Sequence, residues 1–172
     1  MRAGGEAGQK EGKMAKSLVA YFTASGAGVT KGVATRLADA IGADLFEIIP
    51  DIPYSPADLD WKDKTSRTTI EMNDPASRPV IASKVADMAA YDKVFVGFPV
   101  WWYTCPRIID TFLESYNFEG KTIIPFATSG SSDIGKSGED MQAVVKGAKV
   151  LEGKRFAAGV SADELKAWAE SL

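Results

Sequence analysis

The sequence predicts an α/β domain: a doubly wound, five-stranded parallel sheet with helices on both faces, a three-layer α/β/α arrangement. Three observations carry that expectation. Short apolar runs alternate with stretches of helical periodicity along the chain. The 172 residues suit one domain of ordinary size. The composition, 45% hydrophobic and 25% charged, is that of a soluble globular chain.

Residues 1–16 (MRAGGEAGQKEGKMAK) hold four glycines and almost no large apolar side chain, so they read as a disordered tail before a single domain over 17–172. They contain no apolar run of the kind a secretory signal needs. The run SLVAYF (17–22) is a compact, buried-looking first strand. Val29, Val33, Leu37 and Ile41 then follow at spacing four, one face of a helix that Gly42 stops. DLFEII (44–49) is the second strand. The connection from Pro50 to Tyr91 holds five of the eight prolines, which predicts a loop with short helical pieces and then a helix on Ile81, Val85 and Met88. KVFVGF (93–98) is the third strand, and Ile108, Ile109, Phe112, Leu113 and Tyr116 mark the helix after it. TIIPFA (122–127) is the fourth strand, followed by a helix on Met141, Val144 and Val145. A weaker fifth strand falls within 149–156. Ser161 and Glu164 form a capping box that opens a last helix carrying Leu165, Trp168 and Leu172.

Composition narrows the chemistry. The chain has no histidine and one cysteine, which excludes a Ser-His-Asp triad, a His-ligated or all-cysteine zinc site and an intrachain disulfide. No catalytic or metal-ligating residue is assigned. The net charge of −3 and the absence of a dense basic stretch argue against nucleic acid, and no apolar run approaches a membrane span. A lone thiol fits a reducing cytoplasm.

Open α/β sheets bind ligands beyond the carboxyl ends of their strands, so the loops there decide function. The loop after the first strand runs Thr23-Ala-Ser-Gly-Ala-Gly-Val-Thr30 into a helix N-terminus, where backbone N–H groups and hydroxyls favour a phosphate. With no Lys or Arg before Lys31 it suits a monophosphate held by neutral donors; an ordinary glycine-rich turn with Thr30 as N-cap is the competing reading. The loop after the third strand, Pro99-Val-Trp-Trp-Tyr-Thr-Cys-Pro106, has three consecutive aromatics. They cannot all enter one core, and flat side chains suit a flat heterocycle. Cys105 reads as a small buried apolar residue. The loop after the fourth strand, Thr128-Ser-Gly-Ser-Ser-Asp-Ile-Gly135, offers small donors to a polar ring edge.

YFTASG, GFPVWW and PFATSGSSDIG, in this order, resemble the flavodoxin-like family, specifically its short bacterial branch, over nearly all of the chain beyond the tail. The resemblance implies an FMN-binding fold with strand order 2-1-3-4-5. It implies that Thr23, Ser25, Gly26 and Thr30 hold the FMN phosphate, with Ala24 and Val29 in the same loop. Pro99, Val100, Trp101, Trp102 and Tyr103 would border the isoalloxazine ring. Thr128, Ser129, Gly130 and Ser131 would meet its polar edge or the ribityl chain. The chain departs from the family pattern twice. Gly28-Val29 stand as an insertion before Thr30, which leaves open whether Ala27, Gly28 or Val29 donates to the phosphate. Tyr103 replaces the glycine that often follows the tryptophan pair and lends the backbone freedom to change with flavin redox state.

The expected function is an FMN-binding redox protein that carries electrons between partner proteins, as a monomer or homodimer. The alternative is an FMN-dependent NAD(P)H:quinone-type reductase with a small-molecule electron acceptor. In that reading the Pro50–Pro79 segment, with Tyr54 and Trp61, covers the flavin and shapes a substrate pocket. A more distant alternative is a nicotinamide-binding Rossmann domain, from the spacing of Gly26, Gly28 and Gly32 with Glu47 beyond.

Overall fold

The computed structural model describes residues 16–24, 28–129 and 133–172; the site residues Ser25, Gly26, Gly130 and Ser131 lie outside them. In chain order the elements are β1 (Lys16–Tyr21), α1 (Val29–Ile41), β2 (Asp44–Glu47), α2 (Arg67–Asn73), β3 (Tyr91–Pro99), α3 (Arg107–Glu114), β4 (Thr122–Thr128), α4 (Ser137–Val144), β5 (Lys149–Val150), β6 (Lys154–Phe156) and α5 (Ala162–Glu170). The strands form one parallel sheet in the order β2-β1-β3-β4-β5, with β6 also on β4. This is the predicted three-layer arrangement and the strand order that the resemblance implies.

Alternation along the strands builds two cores, because successive side chains point to opposite faces. Leu18 and Ala20 of β1, Val94 and Val96 of β3 and Ile123 of β4 face α3, where Ile108, Ile109 and Phe112 are fully buried. Val19, Tyr21, Phe95, Ile124 and Phe126 face the other way, onto Val33 and Leu37 of α1 and Leu165 of α5. Of the spacing-four face of α1, Val33 and Leu37 are fully buried while Val29 and Ile41 are half-buried. Gly42 ends α1 at φ 69°, a left-handed cap that glycine adopts without steric cost. Ser161 caps α5 by accepting from the Glu164 N–H at 3.1 Å.

Two elements differ from the sequence expectation. The fifth strand is broken into β5 and β6. From Ile123 to Phe126 of β4 is three steps, whereas their partners Val150 and Lys154 are four steps apart, so one residue bulges out. The break lies opposite Pro125, which has no N–H to donate. Ile123 accepts from Leu151, so Pro125, two residues on, faces the same edge. Gly153, at φ 82°, passes so near the Pro125 carbonyl that a Cβ would lie 2.3 Å from it. The helix expected on Ile81, Val85 and Met88 does not form; only a 3-10 turn at Met88–Ala90 does. The chain there runs extended, with the Asp51 N–H bonded to the Val80 carbonyl and the Ala82 N–H to that of Ile49. Val85 and Met88 are buried regardless, which explains the helix-like spacing of apolar residues.

Candidate functional site

At the carboxyl ends of β1, β3 and β4 lies a cleft of about 420 Å³. Eight of the predicted site residues line it: Thr23, Ala24, Val29, Thr30, Pro99, Trp101, Thr128 and Ser129. Leu59, Ala157 and Ala158 complete the described lining. No sequence signal marked these three, since small or aliphatic residues in distant loops carry no chemistry of their own. Val100, Trp102 and Tyr103 line an adjoining cleft instead.

One end of the first cleft is built for an anion. Gly28 stands before α1 at φ 64°, and no side chain caps the helix among the described residues. The first turn carries no acidic residue, so nothing there opposes an anion at the positive end of the helix dipole. Thr23 Oγ1 is buried and has no hydrogen-bond partner among the described residues, a state that costs about 1–3 kcal/mol unless a ligand relieves it. Thr30 is the second residue of α1, not its N-cap. Its hydroxyl lies 2.7 Å from that of Thr128 in a buried pair that ties α1 to β4. The Arg155 guanidinium, from β6, donates to the Ser129 carbonyl at 3.0 Å. Sequence reading did not single out Arg155; it reaches Ser129, in the cleft lining, through the pairing of β6 with β4.

The other end is aromatic. Trp101 packs edge-on against Phe22 at 5.7 Å and Tyr54 at 5.5 Å between ring centres. Tyr54 is held in turn by Arg67, 3.7 Å above its ring, and donates to Glu71 at 2.6 Å. Burial and the Glu71 carboxylate push the Tyr54 phenol well above its usual pKa, so it stays protonated. Trp101 is therefore a fixed wall. Trp102 and Tyr103 leave the core, 39% and 74% exposed, as the three-aromatic run predicts.

These two residues form a tight turn. The Trp101 and Thr104 backbones exchange hydrogen bonds at 3.0 and 3.1 Å across it. Trp102 has φ 51° and Tyr103 φ 66°, left-handed values that cost L residues about 1–2 kcal/mol each. The Lys136 N–H donates to the Tyr103 carbonyl at 2.9 Å, which joins this loop to the segment before α4. Gly135 permits the approach, because a Cβ there would lie 2.1 Å from the Tyr103 oxygen. Cys105 follows, 1% exposed, its thiol pushed up by burial and by Asp110; it is inert in this state.

The arrangement suits a phosphate monoester at the helix end joined to a flat ring against Trp101. It lacks what the nicotinamide reading requires. A Rossmann sheet runs 3-2-1-4-5, and Glu47, the proposed ribose partner, accepts instead from the Tyr21 hydroxyl at 3.2 Å.

Comparison with known proteins agrees with this geometry. The flavodoxin family matches residues 16–172. A candidate flavoprotein from Bacteroides eggerthii is 44% identical, with 92% of this chain and 98% of that one covered at a TM-score of 0.86. One from Bacteroides uniformis is 45% identical over 92% of this chain and 99% of its own, with a TM-score of 0.85. A flavoprotein in complex with FMN from Lactobacillus acidophilus has the same fold, with a TM-score of 0.66, 23% identity, and 91% and 99% of the two chains covered. No curated protein matches the chain.

Proposed function

Since the chain belongs to the flavodoxin family, we propose that it binds FMN and carries electrons between redox partner proteins in the cytoplasm. The observation that supports this most directly is the buried Thr23 hydroxyl, unpartnered among the described residues, beside an uncapped helix N-terminus, with a fixed aromatic wall across the same cleft. FMN, when bound, supplies the uptake and release of electrons.

The chain's own residues bind and orient. Thr23 and the first N–H groups of α1 hold the phosphate, and Thr30, locked to Thr128, fixes the helix end relative to β4. Trp101, backed by Phe22 and Tyr54, presents an apolar face and excludes water from it. Ser129, anchored by Arg155, offers its backbone to a polar ring edge. None of the described lining residues titrates near neutral pH, so none moves a proton.

Titration of the flavin-free protein with FMN, read by flavin fluorescence, tests the proposal. Thr23→Val should weaken FMN binding by about tenfold and leave riboflavin, which lacks the phosphate, unaffected. A protein that takes up no FMN overturns the reading. The carrier role requires that the FMN-loaded protein accept electrons from a flavodoxin reductase and pass them to a second protein. One observation favours the reductase alternative: the aromatic cleft that adjoins the cofactor site.

A further inference from the structure

One wall of the cofactor cleft is attached differently from the rest. Val29, Thr30, Pro99 and Thr128 belong to α1, β3 and β4, elements held by the two cores. Ala157 and Ala158 lie instead in the turn between β6 and α5. The pairing of β6 with β4 ends at Phe156, and the next core residue is Val160. Between these two anchors Ala157, Ala158 and Gly159 are exposed, so no buried side chain of their own holds them.

Arg36 supplies the tie. Val29, Val33 and Arg36 stand at i, i+4 and i+7, on one face of α1. Val29 lines the cleft, Val33 is fully buried, and Arg36 reaches across to the turn. Its Nη1 donates to the Ala158 carbonyl at 3.2 Å and to the Val160 carbonyl at 2.7 Å. Inside the turn the Val160 N–H donates to the Ala157 carbonyl at 3.1 Å. Among the described residues no carboxylate pairs with Arg36, so its guanidinium is committed to the backbone of the turn. A planar guanidinium loses less freedom per hydrogen bond than a lysine ammonium, which suits it to this task. Arg36 is not among the residues that line the cleft, and it sits seven residues beyond Val29, about 10 Å along the helix.

We propose that Arg36 is a positioning residue for the cofactor: it clamps the Ala157–Val160 turn to α1 and so fixes the spacing between the helix end and the far wall of the cleft. The identity of the ligand rests on the proposed function.

The first measurement needs no flavin. Amide hydrogen exchange at Val160 should quicken about tenfold or more in flavin-free Arg36→Met, while exchange at Ile124 in β4 stays as in wild type. The second is FMN binding, with association and dissociation followed separately by flavin fluorescence. Arg36→Met should weaken FMN about tenfold, chiefly through faster dissociation. Arg36→Lys, the milder change, should lose about threefold and serves alone if the Met variant does not fold. A Cβ on Gly159 would meet nothing within 4 Å, and its φ is not positive, so alanine fits there and stiffens the turn. Gly159→Ala added to Arg36→Met should therefore recover part of the lost affinity. The loss should be the same at about 50 and 500 mM salt, because it comes from the turn and not from charge acting on the phosphate. Wild-type dissociation in both Arg36 variants, even with a lower melting temperature, overturns the proposal. So do unchanged exchange at Val160, no recovery with Gly159→Ala, or a loss that vanishes at high salt. If the wild-type protein takes up no FMN, the proposed function falls and this role falls with it; if wild type binds FMN and the variants match it, only this role falls.

Discussion

Trp102 and Tyr103 occupy backbone positions that glycine would fill without cost. Tyr103 at φ 66° is 74% exposed and buries little in return. Tyr103→Gly should therefore raise stability by about 1 kcal/mol, seen as a melting temperature higher by roughly 2–4 °C. Asp110 is a second strained residue, of another kind. It is 3% exposed, one of its oxygens has no partner, and the other lies 3.7 Å from Arg107 and 3.9 Å from Arg78. Burial pushes its pKa up to about 6 against the pull of the two arginines, with Asp140 and Glu114 adding repulsion. The folded state thus holds this proton more tightly than the unfolded chain. The contribution is full below about pH 4 and is lost as pH rises through about 6. Asp110→Asn should flatten that part of the profile and gain on the order of 2 kcal/mol at pH 7, checked by urea unfolding across pH 4–8. At this scale the sequence told a good deal about the site. Thr23 and Thr30 announce themselves as hydroxyls around a helix start. Leu59, Ala157 and Arg155 do not, because only the sheet's pairing and the loop's path bring them near.

Among the elements, the central strands were easiest to read, since burial on both faces leaves continuous apolar runs. The edge was harder. The β5–β6 break depends on what Pro125 cannot donate to its neighbour, a property of the pair that neither segment shows alone. The missing helix near Val85 shows the converse: buried residues at helical spacing can line an extended strip when backbone partners lie elsewhere. Helix α2 owes its position to a partner distant in sequence. Arg107, at the start of α3, donates to the carbonyls of Glu71 and Met72 at its end. Between β3 and β4 the fit is close. A Cβ on Gly97 would lie 2.3 Å from the Phe126 ring, in a fully packed layer. Gly97→Ala should cost about 2–3 kcal/mol, read from chemical denaturation, and Phe126→Leu should recover part of the loss.

For the whole molecule, two cores on opposite faces of one sheet leave the loops at its carboxyl end free to serve binding. A ligand seated there stabilises only the folded state. With free FMN at about 100 times its dissociation constant the gain is about 2.7 kcal/mol, a rise of roughly 5–10 °C in melting temperature. Riboflavin, without the phosphate, should give much less. An unchanged melting temperature would contradict FMN binding at this cleft. Cys105 adds a practical consequence. The chain's one thiol sits sealed just past the strained turn. A sulfhydryl reagent can reach it only when that corner of the fold opens, so the labelling rate of the unmodified protein is a clock for local opening. A ligand that pins the turn slows the clock, and one that binds elsewhere leaves it running.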